Sequence, residues 1–252
     1  MLVKEYREIV KISEMELNTV WDKIGEKSLL IGGWATHFLV NDSFREWKNV
    51  DYIGSKDIDL GIRASDLDFM IKTLIDIGYK PLNFRFYKIF DRETGKELSV
   101  NESKNIPLHN LFYLYIDLIL DEKVEKNILF FSDPIIKLCL DYDLWIRIKK
   151  FKVIRPEPLL LIKMRILDQR DPEKRMKDIL DSIFISSFSD FDNNLFKELI
   201  EVFPIKKENT DLAKKILNSK TFILELTDLG IEKDEISNLV AAFLILTEPK
   251  RT

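Results

Sequence analysis

A chain of 252 residues that is 46% hydrophobic and 33% charged, with only eight glycines and eight prolines, is excluded from the collagen-like, low-complexity and generally disordered classes. Its length suits one large domain or two modest ones, each able to bury a core. Acidic residues outnumber basic ones by 43 to 39, a net charge of −4, so there is no global attraction to polyanions and a nucleic-acid partner needs a local basic face.

The single cysteine, Cys139 in "IIKLCL", cannot form an intramolecular disulfide and reads as a buried small apolar side chain, which fits a reducing compartment. The start, "MLVKEYREIVKI", carries charges where a signal peptide needs an unbroken apolar stretch. No apolar run approaches the roughly 18–20 residues of a membrane span. The expectation is a soluble, cytoplasmic protein without membrane contact.

In chain order, residues 1–27 read as an amphipathic helix on the spacing of Tyr6, Ile9, Val10, Ile12, Leu17, Val20, Trp21 and Ile24, with Gly25 as its stop. "SLLIGG" is a short apolar strand whose Gly32 and Gly33 turn the chain into a helix, "WATHFLV". The polar interval "NDSFREWKNVDYIGSK" reads as a loop, and "DIDLGI" as a second strand. "SDLDFMIKTLIDIGY" follows as a helix with Ser65 as candidate N-cap.

From Pro81 to Ile154 the texture is strand-like: "NFRFYKIF", "KELSV", "LFYLYIDLIL", "VEKNILFF" and "LWIRIKKFKVI", with "ETGK" as a turn, together one mixed sheet. After "RPEP" helices return, first "LLLIKMRILDQ" and then one opened by Asp171 as N-cap and Pro172 at the first helical position. From about residue 190 onward the pattern stays helical and amphipathic. The expected architecture is an α/β domain over 1–155 and a helical C-terminal domain over 156–252.

The chemistry concentrates in three carboxylates. Along a strand side chains alternate, so Asp57 and Asp59 share one face while Ile58 and Leu60 enter the core. Two carboxylates that close repel unless a cation lies between them or one takes a proton, and Mg²⁺ with its oxygen-only preference suits the pair. Asp117 interrupts the longest apolar strand, "LFYLYIDLIL", an expensive place for a lone charge. The bland alternatives are exposed carboxylates at strand ends and an ordinary glycine turn. Against them stands the order: a glycine-rich turn opening a helix offers backbone N–H groups to phosphate just upstream of a metal-binding pair.

This ordered set, "LLIGGWA", "SKDIDLGI" and "YIDLIL", resembles the polymerase-β-type nucleotidyltransferase superfamily: apolar strand, Gly-Gly, helix, then Asp-x-Asp on the next strand and a third Asp on a later one. The "GGWA" form is similar to small antibiotic nucleotidyltransferases and to abortive-infection toxin-type nucleotidyltransferases, as is the later "PEPLLLIKMRIL…KRMKDILD". The resemblance covers about residues 28–185. It departs from the family in the 23 residues between Gly33 and Asp57, about twice the usual interval, which implies an insertion.

The resemblance implies an α+β fold, a nucleotidyltransferase-like mixed β-sheet with flanking helices plus the C-terminal helical domain. It implies Asp57, Asp59 and Asp117 as catalytic residues and ligands of Mg²⁺ or Mn²⁺, with Asp117 as general base being the alternative role. Gly32, Gly33 and Ser55 are implied at the phosphates of an NTP, Lys163 and Lys177 as triphosphate contacts, and Asp178 as an orienting residue. For the lysines the plain reading is a solvated helix face, because Lys174–Asp178 and Lys177–Asp181 are i,i+4 pairs.

His37 and His109 lack a second ligand at metal spacing, so zinc is not expected, and Trp34 reads as core before it reads as a base-stacking ring. The expected activity moves a nucleoside monophosphate from an NTP to an acceptor hydroxyl or phosphate on a small molecule, a protein or an RNA end. An antitoxin-like partner is implied for the toxin-type relatives, and nucleic acid stays open as a partner. The competing reading is an inactive nucleotidyltransferase fold that binds nucleotide as a regulatory module.

Overall fold

The structure, a computed structural model, describes residues 2–124 and 130–247. It is an α+β protein whose chain divides into two compact units, Met1–His37 with Ile53–Ile154 and Phe38–Tyr52 with Arg155–Thr252.

The first unit opens on helix α1 (Leu2–Ile24), whose Ile9, Ile12, Leu17, Val20, Trp21 and Ile24 are buried at helical spacing. Gly25 ends it by close approach rather than by backbone freedom: a Cβ there would sit 2.4 Å from the Trp21 indole nitrogen. That indole donates to the Lys150 carbonyl at 2.9 Å and meets Phe151 edge-on.

Strand β1 (Ser28–Ile31) runs straight into α2 (Gly32–Lys48), and β2 (Ile58–Ile62) follows. Helix α3 (Leu67–Asp76) comes next, with Asp66 rather than the expected Ser65 at its N-cap. A 3-10 turn over Ala64–Asp66 precedes α3 and already contains Ser65.

Strands β3 (Lys80–Leu82), β4 (Arg85–Asp91) and β5 (Glu97–Leu98) and the short helix α4 (Val100–Ser103) lead to β6 (Leu111–Leu120). Asn83, expected within a strand, instead makes the β3–β4 turn with φ 55, a conformation Asn tolerates better than most residues. The unit closes with β7 (Phe131–Ser132), α5 (Pro134–Asp141), β8 (Trp145–Ile148) and β9 (Phe151–Ile154). The expected strand "VEKNILFF" falls largely on residues 125–129, outside the described residues; only its end forms β7.

Among the described residues these strands make one mixed nine-stranded sheet with the order β3-β4-β6-β2-β1-β9-β8, with β5 beside β4 and β7 beside β6. The pairs β1–β2, β4–β6, β3–β4 and β8–β9 are antiparallel, whereas β2–β6 and β1–β9 are parallel. Period-two alternation fixes the register. In β6, Phe112, Leu114, Ile116, Leu118 and Leu120 are buried, while Tyr113, Tyr115 and Asp117 lie on the other face. Each such buried side chain contributes roughly 1.5–3 kcal/mol, so a one-residue slip of β6 is prohibitive. Cys139 on α5 is buried, as its apolar context predicts.

The second unit holds α6 (Pro156–Arg165), α7 (Pro172–Phe188), α8 (Asn193–Val202), α9 (Lys207–Leu217), α10 (Lys220–Asp228) and α11 (Lys233–Thr247). Asp171 and Pro172 open α7 as expected. The stretch from Phe38 to Tyr52 belongs to this unit, and here the structure corrects the sequence reading: "NDSFREWK" is helix, not loop. Val40 and Phe44 are fully buried a turn apart, and Phe44 packs edge-on against Tyr52 and Phe184, while Trp47 stacks on Phe188 at 4.8 Å. The helix ends where Asn49 turns left-handed with φ 57. Of the 23 residues between Gly33 and Asp57, those up to Lys48 belong to α2.

Candidate active site

The glycine turn and the carboxylates meet. Ile31, the last residue of β1, is the register partner of Asp59 on β2, so the chain enters α2 beside that aspartate. Gly32 has φ +65, and a Cβ on it would lie 2.0 Å from Asp59 Oδ2. Glycine is required there twice over, for the left-handed backbone and for the contact. At Gly33 a Cβ would fall 2.7 Å from the Ser55 hydroxyl. Ser55 in turn accepts a long hydrogen bond, 3.3 Å, from the Asp57 backbone N–H. Gly32, Gly33, Ser55, Asp57 and Asp59 thus form one cluster at the N-terminus of a 17-residue helix, where the helix dipole favours an anion.

Asp117 joins the row. It is the register partner of Asp59 across the parallel β2–β6 pair. On its other side, across β4–β6, stands Arg85, again a direct register partner. The Arg85 guanidinium donates from Nε to Asp117 Oδ1 at 2.9 Å and from Nη2 to Oδ2 at 2.7 Å. Burial works against the guanidinium's charge, but the hydrogen bonds and charge of Asp117, and the charge of Asp57, raise its pKa above the usual value. Sequence reasoning missed Arg85; only the pairing of β4 with β6 brings it to the site. The same guanidinium lies 4.6 Å from the Tyr115 ring centroid.

A hard divalent cation fits this arrangement in part. Asp57 and Asp59 supply oxygen donors two residues apart beside the glycine turn, the donor set Mg²⁺ or Mn²⁺ takes when water and phosphate complete its shell. Among the described residues no group of three or more His, Cys, Asp or Glu side chains is arranged to hold a metal ion. Both Asp117 oxygens accept from Arg85 instead.

Other sequence candidates fall elsewhere. Trp34 is buried and donates its indole N–H to Ser13 Oγ at 3.0 Å, so it is core, and its rim packs against Gly54, where a Cβ would come within 3.0 Å. His37 meets Trp34 edge-on, and His109 lies in an exposed 3-10 turn.

Lys163, Lys177 and Asp178 lie in the second unit and form a buried ionic network there. Lys163 Nζ donates to Asp178 Oδ1 at 3.0 Å and to Asp181 Oδ2 at 2.8 Å. Arg170 Nε donates to Asp178 Oδ2 at 2.8 Å, Lys177 pairs with Asp181, and the Tyr52 hydroxyl donates to Asp181 Oδ1 at 2.5 Å. Burial disfavours the Asp181 carboxylate, but Lys163 and Lys177 overcome this and hold its pKa at about 2. Burial likewise opposes the Lys163 ammonium, and the two aspartates more than restore it, so its pKa is raised. At 6% exposure Lys163 ties α6 to α7; this geometry gives no support to a triphosphate contact from it. Lys177, about one-third exposed and over the Tyr52 ring, keeps a solvent-facing side.

No protein-family profile matches the chain, and no curated protein matches it. Among the described residues no helix is long and apolar enough to cross a membrane.

Proposed function

We propose that this chain is a divalent-metal-dependent nucleotidyltransferase that moves a nucleoside monophosphate from an NTP to an acceptor hydroxyl. The observation that carries the reading is the seating of Gly32 against Asp59, with Asp117 as the next register partner across the sheet. A glycine turn seated against one carboxylate, with a second carboxylate in register beside it, supports the reading.

In this reading the N-terminus of α2 at Gly32 and Gly33 receives the triphosphate tail, and Ser55 supports that turn. Asp57 and Asp59 would hold Mg²⁺ or Mn²⁺, which when bound screens phosphate charge and lowers the pKa of a coordinated hydroxyl. The acceptor oxygen forms a bond to the α-phosphorus while the bond from that phosphorus to the oxygen bridging to the β-phosphate breaks. Pyrophosphate leaves with the bonding electron pair, and the hydroxyl proton passes to water. Arg85 adds a fixed positive charge beside the row, which stabilises charge developing on the transferring phosphoryl oxygens. The setting in this reading is the cytoplasm, which supplies NTP and Mg²⁺; an antitoxin-like partner belongs to it only through the toxin-type resemblance.

A second reading is favoured by one observation, the engagement of both Asp117 oxygens by Arg85: a nucleotide-binding module without transfer. Thermal stabilisation by each NTP with Mn²⁺, followed by incubation with α-labelled NTP and cell extract, separates the two. Stabilisation with labelled product supports the transferase, and stabilisation without any product supports the module. Absence of both, or labelling undiminished in Asp59→Asn, overturns the transferase reading.

A further inference from the structure

We infer that Tyr87, Tyr113 and Tyr115 form the acceptor subsite, and that its occupant is a single-stranded nucleic-acid end; this rests on the transferase reading above.

The tyrosines lie on the same face as the carboxylate row. Tyr87 of β4 is the register partner of Tyr115 of β6, one row over from Arg85 and Asp117. Tyr113 precedes Tyr115 by two residues and so shares its face. Their ring centroids form a triangle of 6.1, 6.4 and 6.5 Å, and Tyr113 and Tyr115 are within 17° of parallel. A single exposed aromatic is ordinary on a protein surface. Three adjoining rings on one sheet face, with Tyr113 37% exposed, make a stacking platform of the kind on which sheets bind two or three bases.

The position follows from the chemistry. In phosphoryl transfer the attacking and leaving oxygens stand roughly in line on opposite sides of phosphorus. The leaving pyrophosphate belongs to the glycine turn at the end of β1, on one side of Asp59 in the strand order. The attacking group must then approach from the other side, which is β6 and β4. The tyrosines occupy those two strands.

The class of occupant follows from repetition and charge. A small acceptor with one ring needs one aromatic partner, whereas three rings at strand spacing suit successive unstacked bases, which stack on any π-face without sequence preference. Cations flank the platform: Arg85 lies over Tyr115, and the exposed Lys80 is the register partner of Tyr87. Lys80 supplies local positive charge for a phosphate backbone, while the Arg85 charge is shared with Asp117. The terminal ribose hydroxyl is then the attacking oxygen, with the bond changes given above.

The test is fluorescence anisotropy of a labelled eight-nucleotide single-stranded RNA with a free 3′-hydroxyl, titrated with the whole chain without NTP or metal. Saturable binding is expected. Tyr115→Ala and Tyr113→Ala should each weaken it roughly 5- to 100-fold, the range of losing one base–aromatic stack. Tyr115→Phe, which keeps the ring, should bind within about two-fold of the parent, and the melting temperature of each variant verifies folding. A duplex of the same sequence should compete poorly. No binding, or alanine variants that bind like the parent, overturns the subsite. So does an extract experiment in which only proteins or small molecules acquire label. NTP-dependent stabilisation without RNA binding removes this inference and keeps the transferase; RNA binding without any NTP response removes the transferase.

Discussion

Arg85 grips Asp117 with two parallel hydrogen bonds across a register pair of antiparallel strands, one place along the row from Asp59. The pair is less than one-quarter exposed, so its attraction is screened less than that of a surface ion pair. It spends the third carboxylate of the row on a guanidinium.

Metal affinity should therefore respond unequally to the two partners. Asp117→Asn is expected to weaken Mn²⁺ binding about five- to ten-fold, because it removes a negative charge beside Asp59 and leaves Arg85 uncompensated. Arg85→Ala is expected to tighten Mn²⁺ binding about five- to ten-fold by removing one nearby positive charge worth on the order of 1 kcal/mol. Titration followed by the electron paramagnetic resonance signal of free Mn²⁺ measures both. A loss far beyond ten-fold in Asp117→Asn would show instead that Asp117 ligates the metal and the arginine yields to it.

The glycine turn predicts a sharper effect. Gly32→Ala forces an L-residue into a left-handed conformation and places a methyl group 2.0 Å from Asp59 Oδ2. A destabilisation of about 1–3 kcal/mol is expected, together with loss of NTP-dependent thermal stabilisation. Melting curves with and without Mn²⁺ and ATP read both quantities. A variant that keeps the NTP response would place the phosphates elsewhere.

In the second unit Lys163→Met tests whether the buried ammonium is structural. The substitution leaves Asp178 and Asp181 as buried carboxylates relying on Arg170, Lys177 and Tyr52 alone. A cost of about 3–5 kcal/mol is expected from breaking one side of a buried ionic network. Urea denaturation followed by circular dichroism measures it, and a change below about 1 kcal/mol would mark the network as energetically idle.

The same network gives a pH dependence of definite sign. Asp181 has a folded-state pKa of about 2, below the unfolded value of about 3.9. Its contribution is fully present above pH ~4 and is lost as pH falls from about 4 to about 2. The shift corresponds to about 2–3 kcal/mol. The stability gap between the parent and Asp181→Asn should be constant from pH 7 to about 4.5 and should shrink below that. A gap that stays constant to pH 2 would show that Asp181 is not held ionised by its lysines.

Much of the fold was legible wherever one face of an element is buried. "LFYLYIDLIL" announces its own strand as an apolar run broken on one face by Tyr113, Tyr115 and Asp117, and β6 spans those ten residues. Asp57 and Asp59 were legible as a pair for the same reason. The extension of α2 was not, because Asn41, Asp42, Ser43, Arg45 and Glu46 outnumber the widely spaced Val40, Phe44 and Trp47, and partners such as Phe184 and Phe188 lie more than a hundred residues on. Arg85 was illegible because its role depends on pairing with a residue 32 positions away. Lys163 read as one of several helix cations, and only tertiary packing selects it to neutralise two buried aspartates.

Ile31, Asp59, Asp117 and Arg85 stand on four successive strands of the sheet, three intervals of about 4.8 Å each. The sheet is thus a ruler of roughly 14 Å along which each group has one allowed mark. Moving β2 or β6 by a single residue would swap a charged mark for an apolar one: Ile58 or Leu60 for Asp59, Ile116 or Leu118 for Asp117. The same slip would drive a carboxylate into the core. Drift in sequence that loosens strand pairing therefore strikes folding and chemistry at once, and adaptation of this site must proceed by exchanging side chains at fixed marks rather than by sliding them.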